Sequence, residues 1–135
     1  SILDGVGHYL TSLNRAEKLQ KKAAKVGFDW SSSAGIVEKI EEELAELKEA
    51  MAEGDDEHVD EEIGDLLFVV TNLVRFRKRA TSEELLRAAN RKFESRFRYI
   101  ERRLAEEKIP LEKAGIDRME ALWREAKLQK DKTGR

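Results

Sequence analysis

The sequence contains no cysteine, one proline (Pro110) and two histidines. Without cysteine there is no disulfide, no thiol nucleophile and no thiolate metal site, a composition that fits a reducing cytoplasm. With one proline, almost nothing interrupts helical runs. Long apolar stretches are also missing. The longest, "LLFVV" at 66–70, is far too short to span a bilayer, and no signal-peptide pattern is visible. Nor is there an excess of either charge: 28 acidic residues against 26 basic ones leave a formal net charge of −2. No global field draws the chain to nucleic acid or an anionic membrane, so any electrostatic function is local.

What the chain does have is charge and regular apolar spacing, with 40% charged and 40% hydrophobic residues over 135 positions. That is the size of one domain with a modest helical core. Starting at Ser1 rather than methionine, it reads as an excised piece of a longer protein. Residues 1–13 carry two glycines and no period, and read as a lead-in or linker. A helical domain is expected over 14–130 and a tail over 131–135. The spacing predicts helices over 14–26, closed by Gly27, over 34–53, stopped by "GDD", and over 55–79. The last of these is apolar nearly all round at "LLFVVTNLV", which predicts a central, buried helix. Thr81-Ser82-Glu83-Glu84 is a cap signal for a fourth helix that Pro110 ends, and a fifth covers about 116–129. The expected architecture is an all-α antiparallel bundle of about five helices. A short bundle with so apolar a third helix is expected to assemble as a homodimer or higher oligomer.

The stretch "VEKIEEELAELKEA" (37–50) holds the most informative residues. Ile36, Ile40, Leu44, Leu47 and Met51 recur at spacings of three and four and form one stripe. At roughly 100° per residue, Glu43 falls at the stripe's edge with Glu46 one turn on, whereas Glu41 points outward. The next helix repeats the pattern with Glu62 and Asp65, directly before the apolar segment. Carboxylates beside a buried segment lose water, and two such pairs on neighbouring helices repel unless a cation sits between them. Oxygen-only ligands favour Mg²⁺ or Mn²⁺ over zinc, and Mg²⁺ recruits substrate phosphates. Glutamates three apart are also common on solvated helices, so the pairing of pairs is what carries weight.

Lys92 and Arg96, with Asn90 close by, lie four apart on one helical face and can reach the same anion. Lys39 sits one turn before Glu42–Glu43 and is a further phosphate candidate, although a basic residue on a charged helix is usually just solvated. Trp123 and Trp30 each fit either a core position or a base-stacking one. His8 and His58 look isolated, and neither forms an ExxH pair, which argues against a di-iron centre. "RFRKR" and "RKFESRFRYIERR" interleave arginine and aromatics, but interspersed acids and the slightly negative total argue against nucleic-acid binding.

"KIEEELAEL" followed by "EEIGDLLFVVTNLVR" resembles the EExxE…ExxD signature of the MazG nucleoside triphosphate pyrophosphohydrolases, in the all-α NTP pyrophosphatase superfamily. The similarity continues through "KLQKKAAKVGFDW", "AANRKFESRF" and "LWREAK", covers the chain from about residue 14, and is closest to the C-terminal MazG domain of two-domain members. The resemblance implies Mg²⁺ held by Glu43, Glu46, Glu62 and Asp65. Glu42 would be a supporting or water-orienting carboxylate, with Glu42 or Glu43 helping to deprotonate water. Lys39, Asn90, Lys92 and Arg96 would hold the triphosphate while Phe93 and Phe97 pack inward. Trp123 and Lys127 would meet the base. Ser31, where the family often has proline, and a short "EGDDEH" connection are the departures. The implied activity is hydrolysis of a nucleoside triphosphate to the monophosphate and pyrophosphate by water attack at the α-phosphorus. The alternative is a non-catalytic helical dimerisation or interaction module of a larger MazG-type protein.

Overall fold

A computed structural model describes residues 1–132, with side chains through Gln129; residues 133–135 of the expected tail lie outside the described residues. Among the described residues there are six helices and no strand: α1 (Ser12–Lys25), α2 (Ser33–Glu53), α3 (Asp56–Arg77), α4 (Ser82–Glu106), α5 (Leu111–Ala114) and α6 (Ile116–Lys132). The chain is all-α, as expected, and the one-turn α5 is the addition. Pro110 occupies the N-cap of α5, so proline starts a turn there as well as following the end of α4.

The helix starts follow local chemistry. Thr11, Ser32, Asp55 and Thr81 each accept a hydrogen bond from the backbone N–H three residues on, at 3.1–3.3 Å. Gly54 closes α2 at φ 72°, a left-handed conformation that costs glycine little, and with Asp55 it makes the two-residue link to α3. So short a link turns α3 back antiparallel along α2.

The chain divides into two compact units, Ser1–Leu85 and Leu86–Arg135. In the first, α2 and α1 both pack on α3. Val6, Ile36, Ala50 and Val69 are its buried apolar residues, alongside buried Gln20, Glu43, Glu62, Thr71 and Arg75. Val6 belongs to the expected lead-in, yet it is part of this interior. The side-chain amide of Gln20 donates to the Phe68 carbonyl at 3.0 Å and fixes α1 on α3. In the second unit, Ile100, Leu104 and Leu122 form the core, with Phe97, Met119 and Trp123 packed against it. Arg103 and the Tyr99 hydroxyl both engage Glu125, joining α4 to α6.

Two sequence expectations are corrected here. α3 is not buried all round: Ile63, Phe68 and Val70 are exposed and Leu67 is 59% exposed. α1 and α2 pack on it, and these apolar side chains remain exposed among the described residues. On α2, Leu44 and Met51 are exposed, while the buried line is Ile36–Glu43–Ala50, spaced by seven. Glu43 therefore lies on the centre of the buried face rather than at the stripe's edge.

Candidate metal centre

The acidic residues of α2 and α3 meet across the antiparallel pair. Glu43, Glu62 and Asp65 each place a carboxylate oxygen so that all three lie within 4.8 Å of one another, a group that could hold a metal ion. Glu43 and Glu62 are 6% exposed; Asp65 opens to solvent. The half-buried Glu46 is close enough for its charge to act on Glu62, but it stands outside the three-residue cluster. Glu42 is exposed and bound to Lys39 at 3.3 Å.

Crowding of like charge sets the electrostatics. The hydrogen bond with Glu43, then burial, pushes Glu62 up to about 7. Burial is the largest single influence on Glu43 and acts upward. The hydrogen bond with Glu62 and the Lys39 ammonium at 3.2 Å outweigh it and hold Glu43 below the usual range. Of the two, Glu62 is the one that takes up a proton more readily as pH falls, in hydrogen bond with Glu43. Oε1 of Glu43 faces Lys39 and Oε1 of Glu62 faces His58, and the buried Oε2 of each finds no donor outside the acidic pair. Two carboxylate oxygens without an outside donor, in an oxygen-only cluster, fit a hard divalent cation, which would displace a proton from Glu62.

His58 is not isolated, contrary to its appearance in the sequence. Its Nε2 lies 3.2 Å from Oε1 of Glu62, one turn along α3.

A pocket of ≈ 420 Å³ adjoins this site, lined among others by Phe28, Trp30, Lys39, Phe68, Val69 and Asn72. Lys39 belongs to both, since the same ammonium contacts Glu43. The "FDW" wall is fastened by Arg75, whose guanidinium donates to both carboxylate oxygens of Asp29 at 2.7 and 3.2 Å and to the Asn72 amide oxygen. That hydrogen bonding keeps Asp29 below the usual carboxylate range. Phe68 and Asn72 escape a reading of the sequence as site residues. Their signal is the α3 face itself: Glu62, Asp65, Val69 and Asn72 are spaced three, four and three apart.

The basic half of the predicted site lies in the second unit. Asn90, Lys92 and Lys127 are exposed, and Arg96 is half-buried with its guanidinium 5.2 Å from the centre of the Trp123 ring. Trp123 is half-buried against the second unit's core and also meets Phe93 at 5.6 Å. Phe97 packs inward as expected; Phe93, at 58% exposed, does not, and its ring lies stacked on Phe97 and tilted against Trp123 at the edge of that core.

Residues 31–100 match the family model of the MazG nucleotide pyrophosphohydrolase domain. The chain belongs to this family. Within it, this MazG chain is 43% identical over 116 residues to a nucleoside triphosphate pyrophosphohydrolase/pyrophosphatase MazG of Thermotoga maritima, covering 86% of this chain and 44% of that protein. It is 39% identical over 131 residues to the nucleoside triphosphate pyrophosphohydrolase of Escherichia coli K12, covering 96% of this chain and 49% of that one. It is 45% identical over 128 residues to an uncharacterised Bacillus subtilis protein, YabN, covering 94% of this chain and 26% of that one. The MazG chain thus spans about half the length of the first two relatives. The matched segment contains both acidic pairs, and no helix among the described residues is long and apolar enough to cross a membrane.

Proposed function

We propose that this domain is a Mg²⁺-dependent nucleoside triphosphate pyrophosphohydrolase, with Mn²⁺ as an alternative ion. The observation that carries the reading is the buried Glu43–Glu62 pair, with two oxygens that lack an outside donor beside Asp65. Glu43, Glu62 and Asp65 would hold the cation, with Glu46 close by as the fourth carboxylate. Held there, a divalent cation would supply charge stabilisation to the phosphate oxygens. Glu42 or Glu43 orients a water and takes its proton. The water oxygen bonds to the α-phosphorus, the bond from that phosphorus to the α,β-bridging oxygen breaks, and pyrophosphate leaves. Lys39, tied to the acids at one end of the pocket, Asn90, Lys92 and Arg96 bind the triphosphate.

For the base there are two aromatic platforms. Trp123 with Lys127 is the one implied by family resemblance, and Trp30 in the 420 Å³ pocket is the other. A homodimer is part of the proposal, because the exposed apolar line Ile63, Leu67 and Val70 on α3 needs cover. So are a domain running over 14–130 and a cytoplasmic setting, without nucleic-acid or membrane partners. The deciding experiment incubates ATP, dCTP and dUTP with the protein, with and without Mg²⁺, and resolves the products chromatographically. Monophosphate and pyrophosphate, formed only with Mg²⁺, are expected. ADP and orthophosphate from ATP would refute the bond assignment, and no turnover with a stable dimer would favour the non-catalytic interaction module.

A further inference from the structure

Glu62 is held from outside the acidic cluster as well as from within it. His58 sits in the first turn of α3, where the Asp55 cap accepts its backbone N–H at 3.2 Å. One turn later its Nε2 meets Oε1 of Glu62 at 3.2 Å, with the imidazole 41% exposed and the carboxylate 8% exposed. The two oxygens of Glu62 therefore differ: Oε1 has the imidazole, and the buried Oε2 finds no donor outside the acidic pair. A carboxylate turns freely about its last bond unless one oxygen is anchored. Anchoring Oε1 leaves Oε2 as the oxygen free to serve a cation.

Resting on the metal-site reading above, we propose that His58 is a positioning residue for the cation: its Nε2–H holds Glu62 Oε1 so that Oε2 is presented to the ion. The nitrogen that donates to Glu62 has no lone pair left, so His58 is not itself a ligand through that atom. Outer partners of this kind orient ligating groups and typically contribute about 10- to 100-fold in metal affinity. The sequence hides the role because His58 precedes Glu62 by four residues, where the i,i+4 contact looks like routine helix-surface pairing.

The test is Mn²⁺ binding to the full chain, measured by the free-ion EPR signal, with thermal unfolding of the metal-free protein in parallel. His58→Ala is expected to weaken Mn²⁺ binding about tenfold or more, with little change in metal-free melting temperature. His58→Gln, whose amide N–H can still reach Glu62 from the same helix position, is expected to recover most of the loss. Unchanged affinity in His58→Ala would overturn the positioning role while leaving the metal site standing. Equal loss in both variants, together with a lowered metal-free melting temperature, would make His58 a structural residue only. Failure of the unsubstituted chain to bind Mn²⁺ would overturn the metal site and this role with it.

Discussion

Glu43 and Glu62 face each other across an antiparallel helix pair joined by only two residues, both buried and each keeping one oxygen with no donor outside the pair. A fold does not bury two carboxylates side by side for stability, because each loses hydration and repels the other. The metal-free protein resolves the conflict, as pH falls, with a proton on Glu62; a divalent ion would resolve it with charge.

That competition gives a pH prediction for the metal-free protein. Glu62 rises from the ordinary 4.5 to about 7 on folding, so the folded state holds its proton more tightly than the unfolded chain. Its stabilising contribution is complete below about pH 4.5 and is lost as pH rises through about 7. Glu43, held below its ordinary value, acts in the opposite sense and only at lower pH. Urea midpoints of the metal-free chain should therefore fall between about pH 5 and pH 7.5, and Glu62→Gln should flatten that slope. A midpoint that climbs over the same range would contradict proton uptake at Glu62.

Glu43→Gln and Asp65→Asn should each abolish Mg²⁺-dependent turnover while circular dichroism shows an intact helical fold. Glu43→Gln also loses the Lys39 ion pair, so its metal-free melting temperature should fall somewhat, whereas Asp65→Asn, at an exposed position, should leave it nearly level. Full turnover in either variant removes that residue from the site.

Arg75 joins the "FDW" loop to α3 through Asp29 and Asn72, and its side chain is 6% exposed. Arg75 is buried but Asp29 is open to solvent, so removing the guanidinium leaves a carboxylate that water can rehydrate, at a cost of about 1 kcal/mol. Arg75→Met, followed by urea denaturation, should show a loss of that order. A loss below about 0.5 kcal/mol, the level of an ordinary surface substitution, would mean the loop is held by other contacts.

The two candidate base platforms are separable by kinetics. Loss of a stacking surface worth about 1–3 kcal/mol raises KM roughly 5- to 150-fold with a smaller change in kcat. Trp30→Ala and Trp123→Ala should differ sharply in this respect, and the variant with the raised KM marks the base subsite. Equal, small effects would remove both tryptophans from substrate binding.

Leu67 lies on the exposed apolar side of α3, so Leu67→Glu should leave the monomer's stability nearly unchanged. If that side is where two copies meet, light scattering after gel filtration should show a dimer for the unsubstituted chain and a monomer for the variant. A monomer in both cases would remove the dimer proposal.

Much of this was legible without coordinates, for local reasons. Ser32, Asp55, Gly54 and Thr81 mark helix ends through hydrogen bonds to residues three away or through their own backbone freedom, and those interactions are written in the order of the chain. The pairing of Glu43 with Glu62 and Asp65 was legible too, because helical phase and a short connection leave the two acidic faces little choice.

Other features depended on what packs where. Apolar periodicity could not show that the buried line of α2 runs through Glu43, because that line is set by where α3 lies. It could not tell that part of "LLFVV" stays exposed among the described residues, which depends on how many neighbours cover the helix. It also gave no sign that Arg75 reaches Asp29, or that Phe68 and Asn72 share a pocket with Lys39. The sequence by itself determined the helices and the acids they carry, since both follow from interactions within a few residues. Only the tertiary structure decided which oxygens find no outside donor, because burial and pairing of a side chain depend on residues distant along the chain.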